Sequence, residues 1–333
     1  MYGLAQRAKS LLRCGAAVLL ALLLCGGVPV RAAESGRLLV PVGHTVGIKL
    51  FSRGIVVVKL SDGPAREGGL QTGDVIVKLG DRAVTSTEQF QTLLQENGES
   101  TADLQVRRSG DSVTVSVAPS RNDEGVCCIG AWVRDSMAGI GTLTYYDPAD
   151  GTFGALGHGI TDVDTALLMP FSNGSILPST VKAVKKGEAG AAGELRGDFD
   201  LTRNLGTLSA NTASGIFGTM DALPDAEALP VGTAVPGPAV IRSNVQGDEV
   251  GEYAVEILKV LPNAADGRDL VLSVTDSRLL ETTGGIVQGM SGSPIIQDGK
   301  LVGAVTHVLL NAPNKGYGIL IENMLKAAGD SIN

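Results

Sequence analysis

Apolar and polar positions alternate along much of the chain at the spacing of β-strands. Residues 55–58 form a short continuous apolar run and residues 74–79 a second one, as expected for buried strands. Residues 113–117 alternate valine with polar residues, which predicts a half-exposed strand. One helix is predicted over residues 85–97, because its apolar positions recur at helical spacing and Gly98 follows.

The second half of the chain is rich in glycine and β-prone residues, with almost no helix signal before Glu322. Such a pattern favours an all-β barrel or sandwich. We therefore predict a small mixed domain over residues 36–120, a linker over residues 121–129 and a larger β-domain over residues 130–333. The fold class is mostly β.

The first 33 residues have the layout of an export segment. Arg7, Lys9 and Arg13 precede an apolar run over residues 14–30, and small residues follow it. This order is typical of a signal peptide or signal anchor. We therefore expect residues 1–33 to direct export, and the domains that follow to work outside the cytoplasm.

Composition removes several classes of function. The 333 residues are 44% hydrophobic and 19% charged, so a large core can form, and the formal net charge of −8 argues against nucleic-acid binding. Aromatic residues make up only 4%, which leaves little for a base-stacking surface. Cys127 and Cys128 are adjacent, and no cysteine or histidine has zinc-site spacing. We expect no metal and no cofactor, and we interpret the two cysteines as structural or incidental.

A candidate nucleophile lies in residues 289–294, Gly-Met-Ser-Gly-Ser-Pro. Glycines on both sides of Ser291 allow a sharp turn that leaves its hydroxyl uncrowded, and the N–H groups of Gly289 and Ser291 can converge as an oxyanion hole. The segment resembles the Gly-Asp-Ser-Gly-Gly-Pro signature of trypsin-like proteases at four of six positions, and a predicted hairpin follows. It lacks the Gly-x-Ser-x-Gly elbow of the α/β-hydrolases.

A candidate general base is His158, which has a glycine on each side. It precedes Ser291, in the chain order of the two-barrel serine proteases. The chain has two other histidines. His44 lies in the small N-terminal domain, and His307 follows a predicted hairpin strand, where it is better placed to line a substrate groove.

The acid that would orient the base is not settled by the sequence pattern. Asp276 follows a predicted strand and lies shortly before Ser291. Asp198 and Asp200 follow His158 at a spacing nearer to that of trypsin-like proteases. All three remain candidates on the residues alone.

Residues 65–84, AREGGLQTGDVIVKLGDRAV, resemble the PDZ domains of bacterial secreted proteases. The resemblance implies a site where a peptide C-terminus adds as a β-strand. The resemblance also implies that Gly47, Ile48, Lys49 and Leu50 form the loop whose backbone N–H groups bind that C-terminus.

The order of an export segment, a PDZ-like domain and the segments around His158 and Ser291 resembles the stage IV sporulation protein B family, the S55 serine peptidases of spore-forming bacteria. The resemblance implies a chymotrypsin-like double β-barrel. It also assigns Ser291 as nucleophile, His158 as base and Asp276 as acid.

The same resemblance implies a serine endopeptidase exported to the space between the two membranes of the developing spore, first anchored and then released. It would cleave its own chain and a membrane-bound protein that regulates an intramembrane protease. The second cleavage would activate that protease and, through it, a late mother-cell sigma factor. Two alternatives remain: a catalytically inactive PDZ scaffold at the membrane, and an esterase or acyltransferase that uses the same residues.

Overall fold

The computed structural model describes residues 36–221, 226–262, 264 and 266–332. The predicted export segment lies outside these residues. Within them, no helix is long and apolar enough to cross a membrane.

The N-terminal elements are β1 (Leu38–Pro41), β2 (Thr45–Leu60), α1 (Pro64–Glu67), β3 (Val75–Leu79), β4 (Arg82–Ala83), α2 (Thr87–Asn97), β5 (Ala102–Arg108), β6 (Asp111–Val117), β7 (Ser120–Arg121) and β8 (Cys127–Cys128). The elements that follow are β9 (Ala131–Tyr146), β10 (Thr152–Ala155), β11 (Phe171–Lys185), β12 (Glu194–Phe199), β13 (Gly206–Thr212), β14 (Gly215–Met220), β15 (Leu229–Pro230), β16 (Gly237–Gln246), β17 (Glu249–Val260), β18 (Leu270–Val274), α3 (Ser277–Thr283), β19 (Pro294–Gln297), β20 (Lys300–Val308), β21 (Lys315–Leu320) and α4 (Ile321–Ile332).

A first barrel forms because six strands pair in a closed ring. The order is β9, β10, β14, β13, β11 and β2, and β2 returns to pair with β9. Ile48 of β2 lies opposite Ile176 on one edge and Gly139 on the other. The inward side chains, including Leu143 and Phe153, form one apolar cluster. The ring is closed, although β9 pairs with β10 only from residue 143 onward.

A second barrel is closed by β16, β17, β18, β21, β20 and β19. Its core contains Ile241, Leu272, Ile295 and Val305, all essentially inaccessible to solvent. Gly318 allows β20 and β21 to lie close together, because a Cβ there would come within 2.7 Å of a backbone carbonyl oxygen of β20. The predicted double β-barrel is confirmed.

The PDZ module emerges from the first barrel instead of preceding it. Strands β2 and β9 are long enough to serve two units: residues 45–51 of β2 belong to the barrel, while residues 55–60 pair with β3 and with the start of β9. The sheet then continues through β3, β5 and β6, with α2 packed on it as predicted. The predicted boundary at residue 36 is therefore wrong, because the first barrel strand comes before the PDZ module in the chain.

The predicted peptide-binding loop is also wrong. Gly47, Ile48, Lys49 and Leu50 lie within β2, where they pair with β11 on one edge and with β9 on the other. A strand paired on both edges offers no free N–H groups to a peptide. The pattern misled because a β-strand of the barrel leads directly into the PDZ module.

The predicted linker is ordered. Strands β7 and β8 form a small two-stranded sheet. The carbonyl oxygen of Cys127 accepts hydrogen bonds from the side-chain amides of Gln91 and Gln95, both on α2. Cys127 and Cys128 are both free thiols. The segment thus fastens the start of β9 to the PDZ helix.

Candidate active site

The turn that carries Ser291 is shaped by two glycines. Gly289 and Gly292 both have a φ of +99°, a region that side chains disfavour. The N–H of Gly292 donates to the carbonyl oxygen of Val305 at 2.7 Å, and the N–H of Ser293 donates to that of Met290 at 3.0 Å. The turn is therefore held by its own residues and by the hairpin that follows it.

Ser291 is half-buried, and its hydroxyl donates a 2.6 Å hydrogen bond to the carbonyl oxygen of Thr306. In the described part of the chain, the N–H groups of Gly289 and Ser291 have no hydrogen-bond partner. These are the two groups expected to bind an oxyanion, and both are free to do so.

The loop that carries His158 has an unusual backbone. Leu156 and Gly157 both have a φ of +69°, and for leucine this conformation is strained. Gly157 lies against the neighbouring barrel, where an added Cβ would come within 2.9 Å of the Thr306 methyl group. The two consecutive left-handed residues turn the chain, so that His158 follows directly at the contact between the barrels.

His158 is oriented by a backbone carbonyl group. Its Nδ1 lies 2.9 Å from the carbonyl oxygen of Gly159, which can only accept a hydrogen bond, so Nδ1 carries the proton. The unprotonated nitrogen is then Nε2, which is the state a general base requires. Burial lowers the pKa of His158 below its ordinary value and keeps the ring neutral.

Thr142 of β9 joins the serine turn to the histidine loop. Its N–H donates to the carbonyl oxygen of Ser291 at 2.9 Å, and its hydroxyl donates to that of Gly289 at 2.7 Å. Its own carbonyl oxygen accepts from the N–H of Leu156 at 3.2 Å. One residue of the first barrel thus fixes both candidate groups relative to each other.

His307 lies beside His158. The two ring centroids are 5.0 Å apart, with the planes tilted by 38°. Nδ1 of His307 is buried without a hydrogen-bond partner. Burial, and then the nearby His158, lower the pKa of His307 to about 4. Sequence reasoning placed His307 at a groove but missed this contact, because no local spacing relates residues 158 and 307.

Asp276 is not hydrogen-bonded to His158. Its carboxylate caps α3, accepting from the N–H groups of Arg278 at 2.9 Å and Leu279 at 3.3 Å, and it accepts from the N–H of Ala254. It also pairs with the Arg278 guanidinium at 2.8 Å. The Arg278 side chain, followed by the backbone donors, lowers the pKa of Asp276 to about 2. The carboxylate is therefore ionised and engaged at the start of the helix.

Among the described residues, neither of the other two candidate acids is a hydrogen-bond partner of His158. Asp198 lies in β12, opposite Thr180 of β11. Asp200 accepts hydrogen bonds from the hydroxyl and N–H of Thr202, which lower its pKa. The described hydrogen bonds of His158 include no carboxylate partner, and the Gly159 carbonyl oxygen occupies Nδ1.

The described residues contain no cluster of three or more His, Cys, Asp or Glu side chains that could hold a metal ion. The groups that the arrangement offers for chemistry are Ser291, His158 and the free N–H groups of Gly289 and Ser291. This is the set of groups that nucleophilic acyl transfer needs.

Comparison with known proteins agrees with both modules. Residues 125–325 match SpoIVB peptidase S55, and residues 56–108 match a PDZ domain. The chain is 36% identical over 58 residues to the zinc metalloprotease RasP of Oceanobacillus iheyensis, covering 17% of this chain and 14% of RasP. It is 34% identical over 64 residues to serine protease HTRA1 of Xenopus tropicalis, covering 19% of this chain and 14% of HTRA1. The chain thus spans about a seventh of the length of these curated relatives.

Solved structures resemble it more loosely. The active form of the Rv3671c protease from M. tuberculosis aligns with a TM-score of 0.33 and 14% identity, covering 59% of this chain and 75% of that one. The PDZ domain of an SdrC-like protein from Listeria monocytogenes aligns with a TM-score of 0.23 and 19% identity, covering 24% of this chain and 87% of that one. With the family match extending over more than half of its residues, the chain belongs to the SpoIVB peptidase S55 family.

Proposed function

We propose that this protein is an exported serine endopeptidase of sporulation, with Ser291 as nucleophile and His158 as general base. It cleaves its own chain and a membrane-bound regulatory protein in the space between the two spore membranes. That cleavage activates an intramembrane protease and, through it, a late mother-cell sigma factor. The observation that carries the chemistry is the junction at Thr142, which holds the Ser291 turn and the His158 loop together.

The proposed reaction begins with a change of partner for the Ser291 hydroxyl. It leaves the Thr306 carbonyl oxygen and donates to Nε2 of His158, which accepts the proton as Ser291 Oγ attacks a peptide carbonyl. The N–H groups of Gly289 and Ser291 stabilise the oxyanion. His158 then protonates the leaving amine, and water hydrolyses the acyl-enzyme.

Asp276 supports this site from a distance. Its carboxylate fixes the start of α3, and the chain leads from the end of that helix directly into the turn that carries Ser291. In this proposal the hydrogen-bond partner of His158 Nδ1 is the carbonyl oxygen of Gly159 instead of Asp276. Loss of Asp276 would therefore act through the position of the serine turn.

The test compares the wild type with Ser291→Ala and Ser293→Ala, with intact mass followed over time. Ser293 is a matched control because it lies in the same turn but is fully buried and bonded to Ser243. We expect trimming in the wild type and in Ser293→Ala, and a loss of at least about 10³-fold in Ser291→Ala. Equal trimming in folded Ser291→Ala protein would refute the assignment.

A second candidate function is that of an inactive PDZ scaffold. The hydrogen bond from the Ser291 hydroxyl to Thr306 favours it, since this bond directs the nucleophile to a backbone carbonyl oxygen. A scaffold would show the same mass over time in all three proteins and would still bind its membrane partner. The same mass series therefore separates the two candidates.

A further inference from the structure

One edge of β9 is open over a long stretch. Residues 131–142 of this strand pair with β2. Pairing of β9 with β1 and β10 involves only residues from Leu143 onward. On the side away from β2, no strand pairs with residues 131–141 in the part of the chain that the structure describes. About eleven residues, or roughly 35 Å of strand, are therefore unpaired on this edge, with Gly141 at its end buried against Leu156.

This edge lacks several of the features that usually prevent a strand from accepting another one, although its pairing with β2 shifts register between residues 134 and 136. The segment AWVRDSMAGIG contains no proline and no lysine. Its two charged side chains are engaged, Arg134 with Asp162 and Asp164, and Asp135 with Thr87.

Part of the open segment is accessible to solvent. Ala138 and Gly139 are exposed, and a Cβ added at Gly139 would meet nothing within 4 Å. The side chain of Trp132 is 63% exposed. An accessible strand edge without protection favours β-strand addition by a peptide.

The two ends of the open edge lie at the two functional modules. At one end, Ala131 and Val133 pack on the core of the PDZ module. At the other end, the next residue is Thr142, whose N–H donates to the carbonyl oxygen of Ser291. One strand edge thus leads from the PDZ module to the candidate nucleophile.

We propose that this edge binds the part of a peptide substrate that follows the cleaved bond, as an added antiparallel strand. Every strand pairing in this sheet is antiparallel, which is also the favoured arrangement for an added strand. β9 runs from Ala131 towards Ser291, so an antiparallel peptide runs from Ser291 towards the PDZ module. About ten residues after the cleaved bond fit along the edge. This inference rests on the proposed peptidase function.

The first experiment uses overlapping 20-residue synthetic peptides that tile this chain's own sequence. Wild type and Ser291→Ala are incubated with them, and the cut positions that depend on Ser291 are mapped by mass spectrometry. We expect cuts with about ten or more residues on the C-terminal side, and at least a tenfold loss of kcat/KM when that side is shortened to four. Shortening the N-terminal side to the same length should cost less.

The second experiment tests strand addition directly. In the best-cleaved peptide, each backbone amide after the cut is N-methylated in turn. An added strand directs successive N–H groups to opposite sides, so every second methylation should lower kcat/KM by at least tenfold. With Ser291→Ala and the unmodified peptide, the amides of residues 131–141 should exchange hydrogen more slowly than in the free protein.

The outcomes separate this inference from the proposed function. Cuts that depend on Ser291 but are indifferent to the length of the C-terminal side would overturn the inference alone. A dimer in which β9 amides are protected without peptide would assign the edge to a second copy and also overturn it. The absence of any cut that depends on Ser291 would overturn the peptidase function and the inference together.

Discussion

The serine turn and the histidine loop are both short and glycine-rich, but they are held in different ways. The serine turn is fixed by bonds within residues 289–305, such as that from Gly292 to Val305, and by two hydrogen bonds from Thr142 of the first barrel. The histidine loop depends on Thr142 and on contact of Gly157 with the other barrel. Each group is thus held partly by its own barrel and partly by the other: hydrogen bonds join the serine turn to the first barrel, whereas the histidine loop packs against the second barrel.

Gly292→Ala is expected to have the largest effect, because it disturbs the contact between the serine turn and the histidine loop. An added Cβ would collide with the carbonyl oxygen of Thr142 and lie 2.6 Å from the backbone nitrogen of Leu156, at a φ of +99°. We expect a loss of about 3 kcal/mol or more in stability and activity below about 1%. Urea unfolding and cleavage assays would measure the two effects.

Gly299→Ala is the matched control. Gly299 also has a positive φ, +72°, but nothing lies within 4 Å of an added Cβ. It should cost only the backbone strain, about 1 kcal/mol. If both variants lost the same free energy of unfolding, the close approach of the two loops would not be the cause of the loss in Gly292→Ala.

This difference explains what the sequence could predict. The hairpin after Ser291 and a β-barrel or sandwich follow from a local pattern of glycines and apolar runs, whereas the double barrel was implied by the family resemblance. His158 was reached by excluding His44 and His307, yet His307 proved to be its neighbour. Contacts across barrels leave no signal in local spacing.

The misplaced PDZ loop has the same cause. The pattern of residues 47–50 fits a PDZ loop, but tertiary pairing on both edges makes it a central barrel strand. The assignment of Asp276 as the catalytic acid stays a prediction, since in the structure its carboxylate pairs with Arg278 and caps α3. A local sequence pattern predicts structure well only where the contacts that fix the structure are also close together in sequence.

Substitutions of Asp276 distinguish two possible roles of its carboxylate, which are capping α3 and acting as the catalytic acid. Asp276→Ala removes the cap and the Arg278 pair, and should cost about 1 kcal/mol in stability and lower activity with it. Asp276→Ser can still cap the helix, and should recover most of both. Thermal unfolding and kcat/KM are measured in parallel.

The opposite result would identify Asp276 as a catalytic residue. If Asp276→Ser kept the stability of the wild type but lost activity as fully as Ser291→Ala, the carboxylate itself would take part in the reaction. The hydrogen bond from His158 to the Gly159 carbonyl oxygen would then have to be replaced during catalysis.

The smallest expected effect is a shift in pH dependence. Burial lowers the pKa of His158 below the ordinary value of about 6.5, so the base stays neutral to lower pH than a free histidine. The acidic limb of kcat/KM should therefore lie below about pH 6.5. His307→Gln should leave that limb in place, because burial is the cause of the shift and His307 has a lower pKa, about 4. A limb that moved with His307→Gln would show that the two rings titrate together, and the base would then depend on the second barrel for its charge state as well as its position.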